Sequence, residues 1–156
     1  MALLWPYNKI MASKHKRVIG TTPEAVAKAE TKLGRNFPPS FRAWLLENNG
    51  LYVDDVYIFP VRDERDVRKT WDSIVRQYDN GRWFPDYFED EGLMGQHLLP
   101  FASFGSGDYY CFDYNRQRQD GETPIVWWSH ETAETEDRAE TFAEFVEKVN
   151  DGVYDD

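Results

Sequence analysis

The strongest constraint on the fold is the order in which helical and strand-like hydrophobic patterns follow one another along the chain. Thr21-Thr22-Pro23-Glu24 is a helix start, with a threonine cap, a proline in the first turn and a glutamate three residues after Thr21. That helix is expected to run to about Leu33, where Gly34 can take the left-handed conformation that closes it. Pro38-Pro39-Ser40 opens a second helix with Phe41, Trp44 and Leu45 at i, i+3, i+4, and Asn48-Asn49-Gly50 ends it. The pattern then changes. Residues 52–59 are β-branched and aromatic, and Asp54-Asp55 interrupts them as a turn or bulge, so this stretch reads as a strand or a hairpin. Val67, Trp71, Ile74, Val75 and Tyr78 share one helical face and predict a third helix over 64–78.

Three short strands follow, at Leu98-Leu99-Pro100-Phe101-Ala102, from Asp108 to Tyr114, and at Ile125-Val126-Trp127-Trp128-Ser129. Turns at Gly105-Ser106-Gly107 and around Gln119-Asp120-Gly121 separate them. Thr141-Phe142-Ala143-Glu144 starts a last helix, with Phe142, Phe145, Val146 and Val149 on its apolar face. This order predicts an α+β fold: two N-terminal helices, a central mostly antiparallel sheet of four to six strands, an inserted middle helix and a C-terminal helix. It lacks the strict strand–helix alternation of a doubly wound nucleotide-binding fold. With 156 residues, no internal repeat and no linker-like tract, one domain over 1–156 is expected. Residues 1–17 would be an N-terminal extension or first helix, and residues 60–96 a helical, aromatic and acidic insertion.

Charge narrows the function. The net charge is −10, which disfavours nucleic acid and anionic membranes as partners, since both attract lysine and arginine. A basic protein would be attracted instead. Residues 131–156 hold ten acids against Arg138 and Lys148, so this segment carries −8 of the −10. One cysteine, Cys111, rules out an internal disulfide and a cysteine-based zinc site. The start, Met1-Ala2-Leu3-Leu4-Trp5-Pro6, lacks a signal-peptide core, and no run approaches the ~18 apolar residues of a membrane span. A soluble, cytoplasmic protein is expected.

The chain offers little catalytic chemistry. Cys111 with His97 or His130 would form a nucleophile–base pair, but an aromatic strand is where a lone cysteine acts as a small hydrophobe. His15, His97 and His130 lack metal-site spacing, and His130-Glu131 reads as the polar end of a strand. Gly105-Ser106-Gly107 lacks both the Lys-Ser/Thr ending and the following helix of a phosphate loop. The glycine-broken stretch 79–96 places Trp83, Phe84, Tyr87 and Phe88 beside Glu89-Asp90-Glu91. Aromatic rings next to charge suit a contact surface, and equally suit a loop plugged onto the core. No catalytic residue, metal site or cofactor is expected.

Several segments together resemble the SUKH superfamily, which groups bacterial immunity proteins with fungal cell-wall-synthesis regulators of the Smi/Knr type. The N-terminal part of the resemblance is carried by Gly20-Thr21-Thr22-Pro23-Glu24, Ala29-Glu30-Thr31-Lys32-Leu33-Gly34, Phe37-Pro38-Pro39-Ser40-Phe41-Arg42 and Asn48-Asn49-Gly50. Further on, Leu99-Pro100-Phe101-Ala102, Gly107-Asp108-Tyr109-Tyr110-Cys111-Phe112-Asp113 and Ile125-Val126-Trp127-Trp128-Ser129-His130-Glu131 look like its sheet, and Thr141-Phe142 to Phe145 like its closing helix. The resemblance implies an α+β fold without enzymatic activity, and in bacteria an immunity protein that binds and neutralises a toxin, often a basic nuclease. The alternative it implies is a regulatory scaffold; a small-molecule binder or hydrolase built on Cys111 is a third reading. For a protein partner, the candidate contact residues are Asp54, Asp55, Trp83, Asp86, Tyr87, Glu89, Asp90, Glu91 and Asp108.

Overall fold

The computed structural model describes residues 18–79, 97–105 and 107–154. Helix α1 spans Pro23–Leu33; its cap is Thr22, whose side chain accepts from the Ala25 amide at 3.1 Å, and Gly34 closes it at φ 69°. Thr21, one residue earlier, turns inward and donates to the buried Asp63 carboxylate at 2.7 Å. Helix α2 spans Pro39–Asn48 and buries Phe41 and Leu45. Arg42 reaches back from it to Glu30 of α1 at 2.7 Å. The segment entering α1 lies so close to α2 that a Cβ on Gly20 would collide with the Leu46 carbonyl.

Strands β1 (Leu51–Val53) and β2 (Val56–Ile58) form a hairpin joined by Asp54-Asp55, with Asp54 in the left-handed region at φ 52°. Asp-type residues tolerate that conformation, which two-residue hairpin turns require. Beyond the hairpin the buried Asn49 side chain bonds Val61 in both directions, at 2.9 and 2.8 Å.

The predicted helix over 64–78 shrinks to α3, Ile74–Asp79. Short polar side chains explain the difference. The Asp63 amide donates to Thr70 Oγ1 at 3.0 Å, Thr70 Oγ1 donates to the Asp66 carbonyl at 2.8 Å, and Arg65 closes on Asp63 at 2.7 Å. These bonds satisfy the backbone locally and hold 63–70 in turns. The helix starts only after Ser73, whose hydroxyl accepts from the Arg76 amide. Trp71, assigned to the apolar face, is consequently 54% exposed.

Strands β3 (Leu98–Phe104), β4 (Asp108–Asp113), β5 (Ile125–Trp128) and β6 (Thr135–Ala139) complete a six-stranded sheet in the order β1-β2-β3-β4-β5-β6, every pair antiparallel. β6 has no counterpart among the expected strands: Thr-Glu-Asp-Arg-Ala shows no apolar alternation because it is an edge strand facing solvent. Helix α4 (Phe142–Asn150) packs beside it, capped by Thr141, which accepts from the Glu144 amide at 3.1 Å.

The core forms where α2 and α4 meet the sheet. Phe41 lies 5.1 Å from each of Phe37, Phe112 and Phe142, and Phe101 stacks on Phe112 at 4.2 Å. Tyr110 meets Phe145 at 4.8 Å on the same face. Alternation places Tyr109 and Cys111 on the opposite face, with cross-strand partners Trp128 and Val126. These four are buried too, so both faces of the central strands are covered.

Two expectations follow. Phe41→Ala removes the ring shared by both helices and the sheet, and should lower unfolding free energy by about 3–5 kcal/mol in denaturant titration; a loss below about 1 kcal/mol would mean the cluster does not join the layers. The Arg65 hydrogen bond holds the Asp63 carboxyl down at about 2, against an ordinary 3.8. A folded-state value below the unfolded one stabilises above the unfolded value and is lost as pH falls. Stability should therefore drop between about pH 4 and pH 2, and Asp63→Asn should flatten that part of the stability–pH curve.

Candidate protein-interaction site

In a sheet of consecutive antiparallel strands, successive turns alternate between its two ends. The β1–β2, β3–β4 and β5–β6 turns therefore share one end. A single row of cross-strand partners runs just inside them: Tyr52, Tyr57, Ser103, Tyr109, Trp128 and Thr135. Five inter-strand spacings make this end roughly 24 Å wide.

The residues at this end are acidic. Asp54 and Asp55 form the first turn, Asp108 follows the second, and Glu131 and Glu134 lie in the third, with Glu136 next on β6. Among the described residues of 51–57, 103–109 and 128–136 there is no lysine or arginine. Asp54, Asp55, Glu131, Glu134 and Glu136 are all exposed, although Glu136 is paired with Arg138 of the same strand at 3.0 Å. Tyr52, 66% exposed on edge strand β1, lies 4.9 Å from Tyr57, adding aromatic surface beside the first turn.

Asp108 has a different task from its neighbours. Its Oδ1 accepts from the His130 backbone amide at 3.0 Å and meets His130 Nδ1 at 2.6 Å, while Oδ2 accepts from Trp127 Nε1 at 3.2 Å. Burial pushes its carboxyl up, but the bonds from His130 and Trp127 outweigh that and hold it below the ordinary range. One carboxylate thus ties the start of β4 to the β5–β6 turn. Gly107, at φ 130°, allows the fit: a Cβ there would lie 3.3 Å from the His130 ring.

Three of the nine candidate contact residues, Asp54, Asp55 and Asp108, are thus brought to one end of the sheet. Trp83, Asp86, Tyr87, Glu89, Asp90 and Glu91 lie outside the described residues. Glu131 and Glu134 join the surface without having been singled out. The excess of acid after residue 131 was visible, but its placement needs β6, which turns the chain back beside β5.

The cysteine reading finds no support in the geometry. Cys111 is fully buried, and burial, with Asp113 contributing, pushes its thiol well above the ordinary value. That suppresses the thiolate a nucleophile needs. His97 lies 3.9 Å from Asp113, and His130 is held by Asp108. Among the described residues no group of three or more histidine, cysteine, aspartate or glutamate residues is placed to hold a metal ion. No helix among them is long and apolar enough to cross a membrane.

Asp108→Asn leaves one oxygen to serve donors that now use two. It should lower stability by about 1–3 kcal/mol and speed amide exchange in 129–134. Asp54→Asn, at an exposed turn tip, should stay within about 0.5 kcal/mol of wild type in the same denaturation assay.

The family model described as SMI1 / KNR4 family (SUKH-1) matches residues 20–148, from the segment entering α1 into the last turn of α4. No curated protein matches the chain.

Proposed function

The chain belongs to the SMI1/KNR4 family (SUKH-1), and from that premise we propose that it is a non-catalytic protein-binding module, an immunity protein that neutralises a cognate toxin. The observation that carries this reading is the acidic end of the sheet, where the β1–β2 and β5–β6 turns present the exposed carboxylates of Asp54, Asp55, Glu131 and Glu134 with no lysine or arginine in either turn. Such a surface steers a basic partner and repels acidic ones. A nuclease toxin, which needs cationic groups to hold phosphate, has the matching charge. The exposed Tyr52 ring, at one edge of this surface, adds an aromatic contact of the kind protein interfaces favour. No cofactor enters this function.

The family equally accommodates a regulatory module, in which the same acidic end takes a basic segment of an endogenous protein. Capture from the source lysate, followed by mass spectrometry, separates the two. One stoichiometric basic toxin supports immunity; signalling or envelope-synthesis proteins support regulation.

The site is tested by charge reversal. Against the captured partner, Asp54→Lys/Asp55→Lys and Glu131→Lys/Glu134→Lys should each weaken binding by about tenfold or more, chiefly through the on-rate. Raising salt should weaken the wild-type complex in the same direction. If both double variants bind as tightly as wild type, this end of the sheet is not the interface.

A further inference from the structure

A groove of about 570 Å³ lies between α1 and the segment running from Arg62 into α3. That volume is within the ~300–1,000 Å³ typical of small-molecule sites. Its charge runs against that of the whole chain. Lys28, Lys32, Arg62, Arg65 and Arg76 line it with Glu24, Asp63, Glu64 and Asp79, five cations to four acids on a protein of net −10. Two of the cations are committed: Arg65 to Asp63 at 2.7 Å and Arg62 to Glu64 at 3.0 Å.

Lys28 and Lys32 are not committed. They stand one helical turn apart on α1, both exposed, and form no ion pair with any other described residue. Like charges at i, i+4 repel each other slightly, although Lys32 in the last turn of α1 complements the helix dipole. The third cation, Arg76, holds its guanidinium carbon 4.9 Å from the centre of the Trp71 ring. Trp71 is left open because the polar turns at 63–70 delay the start of α3, and an indole 54% exposed contributes little to the core. Ala25, Ala29 and Val75 add an apolar lining. An exposed indole, three cations and an apolar wall are the parts needed to hold a flat ring bearing negative charge.

We propose that this groove is a binding site for a small planar aromatic anion, its ring against Trp71 and its charged group on Lys28, Lys32 and Arg76. Glu24 and Asp79 repel a second, misplaced negative group and so favour one orientation. The site uses α1 and α3, which contribute nothing to the acidic end of the sheet. It therefore stands or falls independently of the toxin reading.

Isothermal titration of the whole chain, without any protein partner, tests it. Adenosine 5′-monophosphate and indole-3-carboxylate are the two anionic probes, with adenosine and inorganic phosphate as the halves of the first and indole and acetate as those of the second. Saturable binding of either anion, about tenfold tighter than either half, is expected; the tighter anion identifies a nucleotide or an aromatic acid as the class bound. Trp71→Ala and Lys28→Gln/Lys32→Gln should each weaken that binding by about tenfold, and Trp71→Phe should retain most of it. All three variants alter exposed side chains, and unchanged thermal melts would show that they fold. Absence of saturable binding at millimolar probe, adenosine binding as tightly as its monophosphate, or folded variants indistinguishable from wild type would each overturn the proposal.

Discussion

Phe41 projects from α2 into a ring cluster that no single element could build. Its neighbours come from the loop before α2 (Phe37), from β3 and β4 (Phe101 and Phe112) and from α4 (Phe142), all within 5.8 Å between ring centres. Edge-to-face packing of aromatic rings is directional as well as apolar, so each contact also sets an angle between layers. The two helices are thereby seated on the sheet at its middle, over β3 and β4. The strands farthest from that point, β1 and β6, are the ones left free to carry exposed tyrosine and acid.

The acidic end is a consequence of topology acting on a scattered charge pattern. Asp54 and Glu131 are far apart in the chain, yet an up-and-down sheet returns every second turn to the same end. The carboxylates gathered there repel one another, and exposure to solvent keeps that repulsion small. The strain is further limited by Asp108, whose oxygens are satisfied internally by Trp127 and His130. This arrangement separates two uses of one residue type: Asp108 holds the turns in place, and the exposed acids face outward.

The segment between the hairpin and α3 shows the opposite logic. There a buried aspartate, Asp63, draws Thr21, Arg65 and Thr70 around itself and stops a helix from forming early. The same knot links the entry of α1 to α3, and it leaves Trp71 outside the core beside a row of cations. A local polar network thus shapes a groove in which positive charge outnumbers negative on an acidic protein.

Much of the architecture was legible in the residues themselves, wherever local chemistry and long-range packing agree. Thr22-Pro23 and Thr141 cap helices, Gly34 closes one, and Asp54-Asp55 turns a hairpin, because each satisfies backbone groups within a few residues. The family resemblance rests on these same signals. Tertiary structure alone decided the rest. The α2 start has no cap from its own N-terminus and takes one from Glu122, which accepts from Ser40 at 2.7 and 3.1 Å across 82 residues of chain. β6 exists because β5 offers it an edge, although Thr-Glu-Asp-Arg-Ala has no strand pattern of its own. α3 is short because Asp63 finds Thr21 and Thr70. Helix caps and tight turns are determined by neighbours in sequence, whereas edge strands, borrowed caps and the gathering of distant acids depend on which surfaces the folded chain brings side by side.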